Sequence, residues 1–236
     1  MTIKFDLEVF NEQNCLPGGQ FQKKVLYFKI EPPEGIAIKK VDELNNDRII
    51  HYGLFATRSF KKEETVFSFY SNIIFDANKI LNFPEHFIFE IEGVGQVSVS
   101  TGKHMLRDIN NAVLFGFDAL INHSCAPNTR LSFNTCDIKG LKAKSKFMTK
   151  LPFKQIATKD IAFGEEIRNN YLLYSHDLSS EGSFECSCGA DDCVGSIKGF
   201  KYLSPEKQKE YASNVDEYFL REWGYEHLIM DVQQNK

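Results

Sequence analysis

Asn122-His123-Ser124-Cys125-Ala126-Pro127-Asn128 sets one cysteine in a short polar stretch stopped by a proline. The other five cysteines stand at 15, 136, 186, 188 and 193, and three of the six fall together in Cys186-Ser-Cys188-Gly-Ala-Asp-Asp-Cys193. Cys186 and Cys188 are too close in sequence to bridge comfortably, so the cluster points to a metal rather than to disulfides. Thiolates kept for a metal imply a reducing compartment, hence an intracellular protein, with nucleus or cytoplasm undecided. Zinc takes four such ligands in a tetrahedron. The 186/188/193 group offers three, so the fourth comes from elsewhere. Cys125 is the natural choice; Cys136, Cys15 and nearby histidines are rivals. Three unligated surface thiols are the bland alternative, and the spacing and reactivity of free cysteine weigh against it.

Outward from these residues the chain is read as many short strands. Val25–Ile30 is a strand stopped by Pro32-Pro33-Glu34-Gly35, and 36–41 can be another. From 49 to 75 short β-prone pieces alternate with charged turns. Residues 87–91 and 96–100 form two strands about a Gly93-Val-Gly95 turn, and that glycine pair is a hairpin rather than a dinucleotide loop. Residues 103–121 are expected to be partly helical, and 153–158 and 166–174 strand-like. Ser204-Pro205-Glu206 starts a helix, with Ser as cap and Pro in the first turn. Tyr211, Val215, Tyr218, Phe219 and Trp223 then recur at helical spacing, predicting one C-terminal amphipathic helix packed on the core. The fold class is mainly β with short helices, without βαβ repeats.

The 236 residues suffice for one sizeable core. With 42% hydrophobic and 25% charged residues the composition is that of an ordinary globular protein, and 21 phenylalanines predict an aromatic-rich interior. A formal charge of −4 argues against non-specific nucleic-acid binding, and makes a zinc-dependent nucleic-acid reader improbable. No apolar run is long enough for a membrane span, and the first residues lack the layout of a secretory signal. Lys142, Lys144 and Lys146 form a small basic cluster whose ordinary role is a solvated face.

Asn122-His-Ser-Cys-Ala-Pro-Asn128 resembles the Asn-His-Ser-Cys-x-Pro-Asn signature of SET-family protein-lysine methyltransferases. Gly164-Glu-Glu-Ile-Arg-Asn-Asn-Tyr171 resembles their Gly-Glu-Glu-Leu-x-x-Asp-Tyr signature, and Cys186-x-Cys188-Gly-x₃-Cys193-x-Gly195 their post-SET zinc motif. Tyr52-Gly53-Leu54-Phe55-Ala56 is similar to the segment that opens their cofactor pocket. The four occur in the family's order over roughly 49–200. The resemblance implies small sheets around a knot-like threaded segment. It divides the chain into an N-terminal β-rich cap (1–48), a SET domain (49–176), a post-SET zinc segment (177–203) and a C-terminal helical extension (204–236).

It further implies S-adenosylmethionine as cofactor and a lysine-bearing protein or peptide, possibly a histone tail, as substrate, with no membrane partner and no direct nucleic-acid binding. Asn122 and His123 would hold the cofactor, Tyr52 and Gly53 would lie along its methionine end, and Phe184 beside its adenine. Phe87 is grouped with them; it and Phe200 could line the lysine channel, core packing being the ordinary role of each. Tyr171 would be catalytic and touch the cofactor, orienting amine and methyl. Structural zinc would be held by Cys125, Cys186, Cys188 and Cys193. The sequence departs from the family at His51, where a glycine is usual, at Asn169, where Phe or Tyr bears on how many methyls are added, and at Asn170, where Asp is usual. No hydroxyl stands at 87–88. These departures motivate the runner-up, a non-catalytic SET module that serves as a binding or scaffold protein.

Overall fold

Alternation decides the first well-packed pair. In Ile36–Val41 the two isoleucines 36 and 38 are buried while Lys39 and Lys40 face out, and in His51–Ala56 Leu54 and Ala56 are buried. The computed structural model describes residues 15–16, 20–21, 25–30, 32–41, 51–74, 86–91, 95–100, 102–106, 112–115, 120–132, 148–178 and 183–234. Its strands are β1 (Cys15–Leu16), β2 (Gln20–Phe21), β3 (Val25–Ile30), β4 (Ile36–Val41), β5 (His51–Ala56), β6 (Thr65–Ile74), β7 (His86–Ile91) and β8 (Gly95–Ser100). They continue as β9 (Gly102–Leu106), β10 (Ala112–Phe115), β11 (Asn122–His123), β12 (Thr129–Ser132), β13 (Met148–Ala157), β14 (Glu166–Asn169), β15 (Phe184–Glu185) and β16 (Ser196–Ile197).

These strands form small sheets, as expected of a mainly β chain. One has the order β12-β13-β6-β10-β9, a second β11-β14-β5-β4, a third β3-β7-β8, and two are pairs, β1-β2 and β15-β16. β7 and β8 pair antiparallel, with Ile91 opposite Gly95, and the turn residues 92–94 between them lie outside the described residues. Within 103–121, expected to be partly helical, 102–106 and 112–115 are strands, antiparallel to each other and, through β10, to β6; Leu120 lies in a 3₁₀ turn, and 107–111 and 116–119 lie outside the described residues. A four-residue apolar run such as Ala112-Val-Leu-Phe115 suits helix and strand alike, and the open edge of the long β6 decides it. The strand expected over 166–174 also ends early. At Asn170 the side-chain oxygen accepts the N–H of Leu172 at 3.0 Å and caps a 3₁₀ turn, Tyr171–Leu173.

The C-terminal segment is three short helices rather than one: α1 (Pro205–Ala212), α2 (Glu217–Glu222) and α3 (Glu226–Gln234). Ser204 does cap α1, its Oγ accepting the N–H of Lys207. The break after α1 falls at Ser213-Asn214, poor helix formers. Gly224, at φ +82°, ends α2 in a Schellman pair, Tyr225 N–H to Leu220 O at 2.7 Å and Gly224 N–H to Arg221 O at 3.1 Å. Folding back lets Tyr211, Val215, Phe219 and Trp223 all be buried, which one straight helix could not do against this core. Trp223 stacks between Phe219 (5.3 Å between centroids) and His176 (5.4 Å). Phe200, fully buried, meets Trp223 and Tyr225 at 5.5 and 5.2 Å, so it packs the core.

Residues 175–178 and 198–201 run against each other, with Leu178 N–H to Lys198 O at 2.7 Å and Phe200 N–H to Ser175 O at 2.8 Å. The approach is so close that a Cβ on Gly199 would sit 2.4 Å from the His176 carbonyl oxygen, and Gly199 holds φ +117°. No L side chain fits there without moving backbone. Gly199→Ala is therefore expected to lower unfolding stability by about 2–3 kcal/mol, read as a shift of the urea midpoint.

Candidate functional site

The site is built where two stretches far apart in sequence lie side by side. β11 pairs with β14 in parallel, Asn122 beside Arg168 and His123 beside Asn169, and Ser124 N–H continues the ladder onto Asn169 O at 2.8 Å. A two-residue strand does not hold itself, and Asn128 completes it. Its carboxamide donates to Glu166 O (2.7 Å) and Glu165 Oε1 (2.8 Å), and its oxygen accepts the N–H of Arg168 (2.9 Å). From β11, Asn122 Nδ2 donates to the Tyr52 carbonyl at 3.1 Å and to Glu166 Oε1 at 2.7 Å. The other oxygen of Glu166, which is nearly buried, takes Arg168 Nε at 2.6 Å. Gly53 lies under this group: a Cβ there would be 2.5 Å from Glu166 Oε1 and 2.9 Å from Asn122 Nδ2. Tyr52, Gly53 and Asn122 are thus brought together as the sequence led one to expect.

Tyr171 follows β14 directly, on the capped turn. Its phenol O–H donates to the Ile121 carbonyl at 2.7 Å, and its backbone N–H donates to His123 Nδ1 at 3.1 Å. Accepting at Nδ1 forces the proton of a neutral His123 onto Nε2. Burial, helped by the Arg168 charge, lowers the His123 pKa to about 4, so the ring is neutral. Nε2 lies 3.4 Å from Cys125 Sγ, placed to donate to it. His123 therefore joins the tyrosine to the cysteines. Phe184 closes a three-ring group, its centroid 5.9 Å from His123 and 6.2 Å from Tyr171, while His123 and Tyr171 stand 5.2 Å apart, edge to face. Phe184 remains partly exposed, an open wall beside Tyr171. Phe87 lies on β7, and its side chain falls outside the described residues, as does that of His51.

The sulfur atoms of Cys125, Cys186, Cys188 and Cys193 all lie within 4.8 Å of one another, with Cys125 Sγ 3.9 Å from Cys186 Sγ and 3.8 Å from Cys193 Sγ. A tetrahedral zinc with sulfurs at about 2.3 Å has an S···S edge of about 3.8 Å, so this donor set and spacing suit zinc. The Cys125 fourth-ligand choice is the one that the fold brings in; Cys15 lies at the far end of the chain in β1, and Cys136 lies outside the described residues. Backbone groups already point at the sulfurs: Cys125 N–H at Cys188 Sγ and Gly195 N–H at Cys193 Sγ, each 3.4 Å. Burial and the neighbouring sulfurs push the Cys125 thiol far up and Cys186 up to about 11. For Cys188 burial acts upward too, but N–H groups of Cys125 and Ala190 and the flanking thiols outweigh it and bring it down to about 6. A cation among the four sulfurs would favour their thiolate forms.

Several residues around the site had no assigned role in the sequence. Thr129 and Gln155 are fully buried beneath β14. Gln155 Nε2 donates to Thr129 Oγ1 at 2.6 Å and to Asn169 Oδ1, while Thr129 Oγ1 lies 2.9 Å from both the Arg168 carbonyl and Asn169 Oδ1 and shares one proton between them. The side-chain oxygen of Asn169 is thus committed to the sheet interior. Glu165, Glu166 and Asn128 stood inside recognised motifs and could have been singled out; Gln155 carried no local signal. A cleft of about 310 Å³ opens beside the cysteines, lined by Ser124, Asn128, Lys159, Glu165, Arg168 and Cys188 among others, and none of the expected cofactor residues lines it.

The SET domain family matches residues 51–172, slightly more than half of the chain. No curated protein matches. Among solved structures, a crystal structure of a Plasmodium falciparum protein described as a candidate histone methyltransferase has a TM-score of 0.35 at 17% identity, over 58% of this chain and 92% of that one. The assignment rests on the sequence match and on its agreement with the geometry: the matched span contains both signatures, and these are the two segments that pair as β11 and β14. The chain belongs to the SET domain family.

Proposed function

We propose that the chain is a protein-lysine methyltransferase acting on the side chain of a lysine in a protein, a histone tail being the commonest substrate in such a family. The observation that supports this best is the fixing of Tyr171 at three points. Its hydroxyl is held by the Ile121 carbonyl, its N–H by His123, and its ring by the edges of His123 and Phe184. With the phenolic proton given to Ile121 O, the oxygen offers lone pairs to an incoming amine N–H. S-adenosylmethionine, when bound, supplies a methyl group on a positively charged sulfur. Asn122, His123, Tyr52, Gly53 and Phe184 are the residues that would hold it, and the aromatic faces around Tyr171 suit a cation. Phe87 is carried in the same group from the family resemblance.

A lysine must lose its proton before it attacks, and at pH 7 that costs roughly 4–5 kcal/mol from a pKa near 10.4. The positive charge on the cofactor's sulfur close by disfavours the ammonium and lowers that cost. Tyr171 need not take the proton. Its contribution is orientation of the amine, and misplacement of a reacting group by an ångström can cost about 10²-fold in rate. Residues 49–176 would then be the catalytic domain, 177–203 a post-SET zinc segment held by Cys125, Cys186, Cys188 and Cys193, and 204–236 a helical extension.

Purified protein incubated with methyl-labelled S-adenosylmethionine, a histone panel and cell extract is expected to label a lysine. In Tyr171→Phe transfer should fall about 10²-fold or more with the thermal midpoint little changed. Tight cofactor binding with no acceptor in any mixture would instead favour the scaffold reading. Metal analysis should find zinc in the wild-type chain and its loss in Cys188→Ser, and chelation should lower both the thermal midpoint and the transfer rate. Full zinc retention in Cys188→Ser would mean that the ligands are others.

A further inference from the structure

Tyr171 stands on a turn that is tied at both ends to a sheet other than its own. β14, which leads into the turn, belongs to the four-stranded sheet, whereas β12 is the edge strand of the five-stranded one. Thr129 and Leu131, two residues apart on β12, face the same way and are buried. On the near side of the turn Asn169, two residues before Tyr171, accepts at Oδ1 from Gln155 Nε2, and that oxygen lies 2.9 Å from Thr129 Oγ1. On the far side the backbone N–H of Leu131 donates to the hydroxyl oxygen of Tyr174 at 3.0 Å. Tyr174 is buried, and its own N–H closes the 3₁₀ turn onto the Tyr171 carbonyl at 3.2 Å.

Stability alone does not account for this polar wiring. Gln155 is fully buried, and its Oε1 has no partner among the described residues. Such an orphan costs free energy, and folded proteins rarely keep one. An apolar side chain of similar size would join the two sheets at least as well, but directional hydrogen bonds fix a register that apolar packing leaves free. Gln155 also sits where the ladder of β13 with β6 slips: it faces Phe67, while the next residue, Ile156, faces Thr65. A bulge of this kind re-aims a side chain, and beside this one is the amide that reaches β14. We infer that Gln155 and Tyr174 are positioning residues for Tyr171. Acting from the five-stranded sheet, one through Asn169 and the other through the hydrogen bond that closes the turn, they fix where the Tyr171 hydroxyl lies against the Ile121 carbonyl. This rests on the reading of Tyr171 as the residue that orients the amine. His123 holds the Tyr171 backbone from β11, so the clamp completes its support from the opposite direction along the chain.

The test uses the full chain with carbon-13 in its tyrosine rings. It reads the ring signals of Tyr171, assigned by their loss in Tyr171→Phe, together with the thermal midpoint and the transfer kinetics. Tyr174→Phe keeps the ring and deletes only the oxygen; Gln155→Leu keeps the bulk and deletes the orphaned carbonyl. Both are expected to shift the Tyr171 signals. Gln155→Leu should do so with a midpoint equal to wild type or higher, a combination that plain packing does not produce. In both, kcat is expected to fall about 10-fold or more, within the roughly 10²-fold cost of misplacing a reacting group by an ångström, while the KM for S-adenosylmethionine hardly moves. In a Tyr171→Phe background Tyr174→Phe should cost almost nothing further, because the hydroxyl it positions is already gone. Tyr171 signals that stay put in either variant would overturn the inference, as would full additivity of the two tyrosine substitutions. A wild-type chain that transfers no methyl, with variants that still move the Tyr171 signals, would support the clamp and overturn the methyltransferase reading instead.

Discussion

Everything at this site hangs on two residues of parallel ladder, β11 against β14. So short a pairing contributes only a few backbone hydrogen bonds, each worth about 1 kcal/mol net, and parallel pairing is the weaker kind per residue. The fold makes it reliable by burying it and by supplying side-chain donors and acceptors that no other arrangement satisfies. Asn128 bridges three partners on β14 and its leading turn. Thr129, Gln155 and Asn169 tie the same strand from below. If β14 slid by one residue, Ile167 would turn outward and Arg168 inward, and the Asn128 contacts would be lost together.

From that crossing the chemistry spreads in two directions through one imidazole. His123 accepts from the backbone of Tyr171 on one nitrogen and faces Cys125 with the other. A single tautomer serves both, and burial keeps the ring neutral so that the tautomer is stable. The cysteine cluster and the tyrosine are therefore not separate modules in space. Whatever orders the cysteines orders the ring that holds Tyr171.

Gly53 and Gly199 show how tightly the chain is threaded. One allows Asn122 and Glu166 to meet over a strand; the other lets residues 198–201 lie against 175–178. Neither is a turn glycine. Both are places where the backbone must pass too close to other atoms for any Cβ, which is the cost of bringing four distant segments to one point.

The cysteine spacing named three residues that meet, at 186, 188 and 193, and a fourth ligand with Cys125 foremost, while the stretches around 122 and 171 were singled out by their resemblance to family signatures. Thiolate chemistry and signature order are local properties, and they survive being read in one dimension. The β-rich class was legible too, since alternation and turn residues act within a few positions. Helix against strand at 102–106 and 112–115, the stop at Asn170 and the division of the last segment into three helices were decided by the tertiary structure. In each of these the local preferences are nearly balanced, and a neighbouring sheet edge, a side-chain cap or a core to be covered tips them. The hydrogen bonds of Asn128, the sharing of His123 between Tyr171 and Cys125, and the burial of Gln155 under Asn169 could come only from the fold, because a contact between residues tens of positions apart leaves no imprint on the sequence around either one.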